Sequence, residues 1–262
     1  MDSRRYAVSK KDSLANEEIA DVNSSTDFDT REAIYERHRE VLQDHIRSSE
    51  KTSRKIKSVC RGFFAHPKHI ANHFEWLTRT NNLENVVMDN LEKQIDFMQK
   101  YLLFTDNSLE LRDKLSKIDD QVEMDFDGSR LWKDFQIMRI LGTNLDQDGS
   151  ALLKVEEDLP PKTPCPFVLA VKCGRSLVFE VWAEKEKLLG NMSLQLAISS
   201  YLHVAFVFDL KYPQGAQTLG DILQRKVANY GDDSGTRTWR SLQAASKKYK
   251  QYLMVIGDLL SQ

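Results

Sequence analysis

Apolar residues recur at helical spacing from about residue 30 to 141, at strand spacing after residue 166, and at helical spacing again beyond that. The clearest stripe is Leu83, Val87, Leu91, Ile95, Met98 and Leu102, one face of a helix with the intervening positions polar. Ahead of it, Ile70, Phe74 and Leu77 share a face in a segment opened by Pro67. Proline suits a helical first turn, where its missing N–H is not needed. Ile34, Val41, Ile46, Ile56 and Val59 form only a thin stripe, so a mostly solvated helix is expected there, capped by Asp29 or Thr30. Two further helices are predicted from Leu109, Leu111, Leu115 and Ile118, and over residues 129–141.

Prolines and glycines crowd residues 142–166 and mark a connection. Beyond it, FVLAVKC and SLVFEVW are short runs rich in Val and Phe, separated by Gly174 and Arg175, which predicts a β-hairpin. Leu188, Leu189, Met192, Leu196, Ile198 and Leu202 are consistent with one helix over residues 184–207. Tyr212 and Pro213 end the run that follows. A short helix is expected at 218–227 and a last one at 238–260, with Leu242, Tyr249, Leu253, Ile256 and Leu260 inward. The fold expected is mainly α: a helical N-terminal half and a C-terminal α+β subdomain containing a small β-hairpin. Its organisation is a disordered arm at 1–29, a helical region at 30–145, a linker at 146–166 and the subdomain at 167–262.

Composition narrows the class. A chain of 262 residues suffices for a large core, and 29% charged residues against 41% hydrophobic ones indicate a polar surface surplus. The net charge of -2 removes any global attraction to polyanions, so such binding needs a local patch. Three scattered cysteines, Cys60, Cys165 and Cys173, without a CxxC pair, argue for a reducing compartment. The N-terminus has no apolar signal core, and no run approaches the roughly 20 apolar residues of a membrane span. An intracellular protein is expected, with nucleus and cytoplasm equally compatible.

Candidate chemistry is sparse. His69 and His73 stand at i and i+4 on a predicted helix, and Cys60 and His66 would complete a tetrahedral metal set. Phe63, Phe64, Ile70 and Phe74 account for the same segment as a packed helical corner, and no metal is assigned. Asn144, Asp146, Asp148 and Gly149 match the start of a calcium loop, but Val155 stands where a bidentate Glu is required, which leaves an acidic turn. GDDSGTR lacks the spacing of a phosphate loop. No nucleophile or zinc-protease signature occurs, so no catalytic residue or cofactor is assigned. Two basic groups stand out. Arg47, Lys51, Arg54, Lys55, Lys57 and Arg61 are opposed only by Glu50, and Arg237, Arg240, Lys247, Lys248 and Lys250 have no acid between them. Neutralising phosphates needs such clusters, although solvated helix faces produce them too.

The strings FFAHPKHIANHFEWLTRTN, FVLAVKCGRSLVFEVW, AFVFDLKYPQGAQTLGDILQRK and GDDSGTRT together resemble a vertebrate family, abundant in fishes, labelled as similar to sterile-alpha-motif-domain-containing protein 3. The likeness spans roughly residues 50–262, and the block 206–225 is its most specific part. No segment reads as a sterile-alpha-motif domain, because the chain ahead of the shared region is short and polar. The resemblance implies a domain extent and brings no catalytic residues.

The function expected is a non-enzymatic, intracellular protein-interaction or regulatory module acting through helical faces, with a protein partner or a second copy of itself. The alternative is a nucleic-acid-associated protein using the basic helices around 47–61 and 237–250.

Overall fold

A computed structural model describes residues 27–50, 61–105, 109–118, 126–146, 151–159, 165–213, 215–230 and 247–260. The chain divides into two compact units, Met1–Arg79 and Thr80–Gln262. The expected arm lies outside the described residues up to position 26, but positions 27–29 already belong to the cap and start of the first helix.

In the first unit, α1 is Phe28–Glu50. Its cap is Asp27 rather than Asp29 or Thr30: the Asp27 carboxylate accepts from the Thr30 backbone N–H at 2.9 Å and the Thr30 hydroxyl at 2.8 Å. These bonds hold the Asp27 carboxyl below its ordinary pKa. The buried face of α1 is Tyr35, Leu42 and Ile46, whereas the expected Ile34 and Val41 are half-buried. The helix kinks at His38 (φ -119°, ψ 18°), and Tyr35 packs its ring 4.6 Å from that of Phe63. A 3-10 turn, Arg61–Ala65, leads into α2, Pro67–Thr78, with Pro67 in its first turn as expected. Arg79, in the left-handed region at φ 59°, closes α2 by donating its N–H to the Glu75 carbonyl. Phe63, Ile70 and Phe74 are fully buried.

The second unit begins with α3, Leu83–Thr105, which buries every residue of the predicted stripe. After α4, Leu109–Lys117, comes α5, Phe126–Leu145, longer at both ends than the expected 129–141. Both α5 and α6, Leu194–Val207, pack on a four-stranded sheet of order β1-β2-β3-β4. β1 is Leu153–Val155, β2 Phe167–Cys173, β3 Ser176–Ala183 and β4 Glu186–Met192. β1 runs parallel to β2, and the other pairs are antiparallel. The chain continues as α7, Gln217–Ile222, which widens into a π-turn at Leu223–Val227, and α8, Lys247–Leu260. Residues 238–246 of the expected last helix lie outside the described residues.

The hairpin at Gly174 and Arg175 forms as predicted, with Gly174 at φ +64° in a two-residue turn between paired Cys173 and Ser176. Two expectations are corrected. The stretch 184–207 is not one helix: Glu186–Met192 is β4, and α6 begins only after Ser193, whose hydroxyl accepts from the Leu196 N–H at 3.2 Å. The stretch read as a linker contributes β1 to the sheet, and α5 packs against it. The β element is therefore a mixed sheet rather than a lone hairpin, within a mainly α-helical chain. Among the described residues, no helix is long and apolar enough to cross a membrane.

Candidate anion-binding cleft

A cavity of about 520 Å³ opens on the second unit between α4, α5 and the β1–β2 edge of the sheet. Its walls follow from helical and strand periodicity. Trp132, Gln136, Arg139 and Ile140 stand at i, i+4, i+7 and i+8 along α5 and so share one face. Lys114, Lys117 and Ile118 do the same at the end of α4. Lys172 of β2 pairs with Leu177 of β3, so it stands on the sheet face of Leu177 and Phe179, and the Phe179 ring lies 5.4 Å from Phe135 of α5. Val155 and Glu157 close the rim.

Four cations thus face one cavity from three elements, against a single lining carboxylate among the described residues, Glu157. Arg139 is held in place from three sides. Its Nε donates to the Leu153 carbonyl at 3.0 Å, Nη2 to Asp158 at 2.8 Å and Nη1 to Gln136 at 3.4 Å. Asp158 in turn accepts the Val155 N–H at 2.9 Å, so α5, β1 and the turn after it are locked around the guanidinium. Lys117 pairs with Asp113 on its own helix. The Lys172 ammonium lies 5.1 Å over the Trp132 ring and has no carboxylate partner among the described residues. The Trp132 indole N–H is buried without a hydrogen-bond acceptor among them. A negatively charged group is the ligand class such a lining can hold. Among the described residues, the lining carries no cysteine, histidine or serine and a single carboxylate.

The histidines considered for a metal are each committed elsewhere. The His66 ring accepts from the Lys68 backbone N–H at 3.2 Å. His69 shares a hydrogen bond with Glu32 at 2.8 Å and stacks on Phe28 at 4.4 Å. Burial alone would raise the Glu32 carboxyl, but the hydrogen bonds of His69 and Asn72 and the charge of Arg39 hold it below its ordinary pKa. His73 bonds Gln43 at 2.9 Å, and burial, helped by Arg39, lowers its pKa to about 4. Among the described residues no three potential ligands converge, and Cys60 lies outside them. Asp146 of the calcium-like loop serves the fold instead. Its carboxylate accepts the N–H groups of Thr218 and Leu219 at 2.9 and 3.2 Å and so caps α7.

Of the basic residues, Lys51, Arg54, Lys55 and Lys57 lie outside the described residues, as do Arg237 and Arg240. Arg47 and Arg61 are exposed. Lys248 donates to the Leu145 carbonyl, so it fastens α8 to the end of α5.

The block 206–225, on which the expected resemblance rests most, is a buried network rather than an open site. The Tyr212 hydroxyl donates to Gln224 at 2.7 Å, and Gln224 donates to the Tyr230 carbonyl at 3.4 Å. Asp221 and Arg225 pair at 3.6 Å, and Arg225 lies 5.9 Å over the Tyr249 ring of α8. Burial pushes the Tyr212 phenol far above its ordinary pKa, so it stays a neutral donor.

The cations of the cleft are not apparent in the sequence because they lie at 114, 117, 139 and 172, with no linear charge run. The available signals were two short helical stripes, Lys114–Lys117–Ile118 and Trp132–Gln136–Arg139–Ile140. No family model, no curated protein and no solved structure matches this chain.

Proposed function

We propose that this protein is a non-enzymatic interaction module that captures an acidic segment of a protein partner in the cleft between α4, α5 and β2. The observation that carries this reading is that Lys114, Lys117, Arg139 and Lys172 all line one cavity whose lining holds a single carboxylate among the described residues, Glu157, while Arg139 also pairs with Asp158 and Lys117 with Asp113. With a net charge of -2 the chain as a whole does not attract anions, so this local concentration is selective. Arg139 is anchored by its three hydrogen bonds and loses little further freedom on binding. The lysines supply ammoniums on flexible stems that adapt to the ligand.

The test is fluorescence anisotropy of a labelled hexaglutamate peptide with the full chain at about 50 mM salt, where charge attraction is strongest. Saturable binding is expected, weakened at least tenfold by the double variant K114E/K172E, which leaves the anchored Arg139 intact. Undetectable binding by the natural chain, or equal binding by the variant, refutes the reading. A duplex or single-stranded oligonucleotide that binds more tightly than the peptide, with the same loss in the variant, moves the assignment to nucleic acid.

A further inference from the structure

We infer that the group the cleft selects is a phosphate monoester dianion borne on a side chain of the partner; this rests on the acidic-partner reading above. Charge and the number of acceptor oxygens favour a phosphate over a carboxylate for such a lining. A carboxylate offers two coplanar oxygens that share one negative charge, and Asp158 accepts from Arg139 and the Val155 N–H on one of its two. A phosphate monoester offers three oxygens spread tetrahedrally and a second negative charge near neutral pH. The cleft supplies cations from three elements: Lys114 and Lys117 from α4, Arg139 from α5 and Lys172 from β2, of which Arg139 also pairs with Asp158 and Lys117 with Asp113. Lys172 rests over the Trp132 ring, a weak contact at an exposed site, so its ammonium is readily drawn to a stronger anion. The cavity of about 520 Å³ falls in the range of about 300–1,000 Å³ that takes a small group, and it admits a phosphorylated side chain with part of its backbone.

The experiment compares two hexapeptides that differ at one position, phosphoserine against glutamate in an otherwise identical acidic context, titrated into the full chain at constant ionic strength. The Trp132 indole N–H is followed by two-dimensional nuclear magnetic resonance, its peak assigned with W132F. Expected are a shift of that peak, a dissociation constant at least tenfold lower for the phosphopeptide, and loss of the difference in K172E. K172Q serves as the milder variant should charge reversal disturb the fold. Equal affinities for the two peptides overturn the phosphate assignment while leaving the acidic-partner reading standing. No binding of either peptide overturns both. Competition by glucose 6-phosphate at the same concentration as the phosphopeptide overturns the side-chain source and makes the ligand a free phosphomonoester.

Discussion

At the residue scale, the tightest constraint is the meeting of Gly220 and Tyr212. A Cβ on Gly220 would stand 2.6 Å from Tyr212 Cδ2 and under 3.0 Å from two further ring atoms. The ring cannot yield, because its hydroxyl is tied to Gln224 and its face lies 6.3 Å from the buried Tyr201 ring. Gly220→Ala is therefore an overpacking change, expected to cost about 1–3 kcal/mol. Urea denaturation of the full chain measures it, and a midpoint equal to that of the natural protein contradicts the account. Tyr212→Phe removes one hydrogen bond without adding volume and is expected to cost about 1 kcal/mol, less than the glycine change. The same contact explains why the string around 206–225 is silent on chemistry. Sequence shows a Tyr, a Gly and a Gln at fixed spacing, but only the fold shows that they are consumed by one another.

At the element scale, the sheet separates what was legible from what was not. The first hairpin announced itself because Gly174 supplies the positive φ that a two-residue turn requires. The second hairpin has the same loop length, between paired Ala183 and Glu186, but its turn residues are Glu184 at φ 52° and Lys185 at φ 68°. Both are good helix formers and poor left-handed residues, so the string AEKEKLLG reads as a helix start. Pairing of β4 with β3 overrides that local preference and leaves strain in the turn. Replacing Glu184 and Lys185 by Asn and Gly is expected to stabilise the second unit by about 1 kcal/mol. Thermal unfolding checks this: no gain, or a loss, would show that the native side chains do more than turn the chain. The long α3 stripe was fully legible because a single period of 3.6 runs along it without interruption. The cleft was not, because its walls come from three elements brought together only by tertiary packing.

At the scale of the whole molecule, buried histidines set the response to acid. Burial lowers the pKa of His203, in α6 of the second unit, to about 3, and that of His73 in the first unit to about 4. Both are depressed below the ordinary value of about 6.5. The unfolded chain therefore binds protons that the folded chain refuses, and the stability these groups contribute is complete above about pH 6.5 and lost as pH falls toward those lowered values. Asp134 on α5 acts in the opposite sense. Burial, with Glu92 and Asp96 nearby and despite Arg130 and Lys133, raises its pKa from 3.8 to about 6. Its contribution is present below 3.8 and is lost as pH rises through about 6. Asp134 is only half-buried, so solvent screening reduces its effect to on the order of 1 kcal/mol. The two histidines outweigh it, and net destabilisation by acid between about pH 6.5 and 4 is expected. Urea midpoints measured across that range resolve the contributions. His203→Gln should flatten the acid limb by up to about 1.4 kcal/mol per pH unit, the value for one linked proton. Asp134→Asn should steepen it, because the opposing group is gone, and should stabilise the protein more at about pH 7.5 than at about pH 4. If His203→Gln leaves the slope of the natural chain unchanged, the imidazole is not held neutral in the fold, and the acid response belongs to the carboxylates instead.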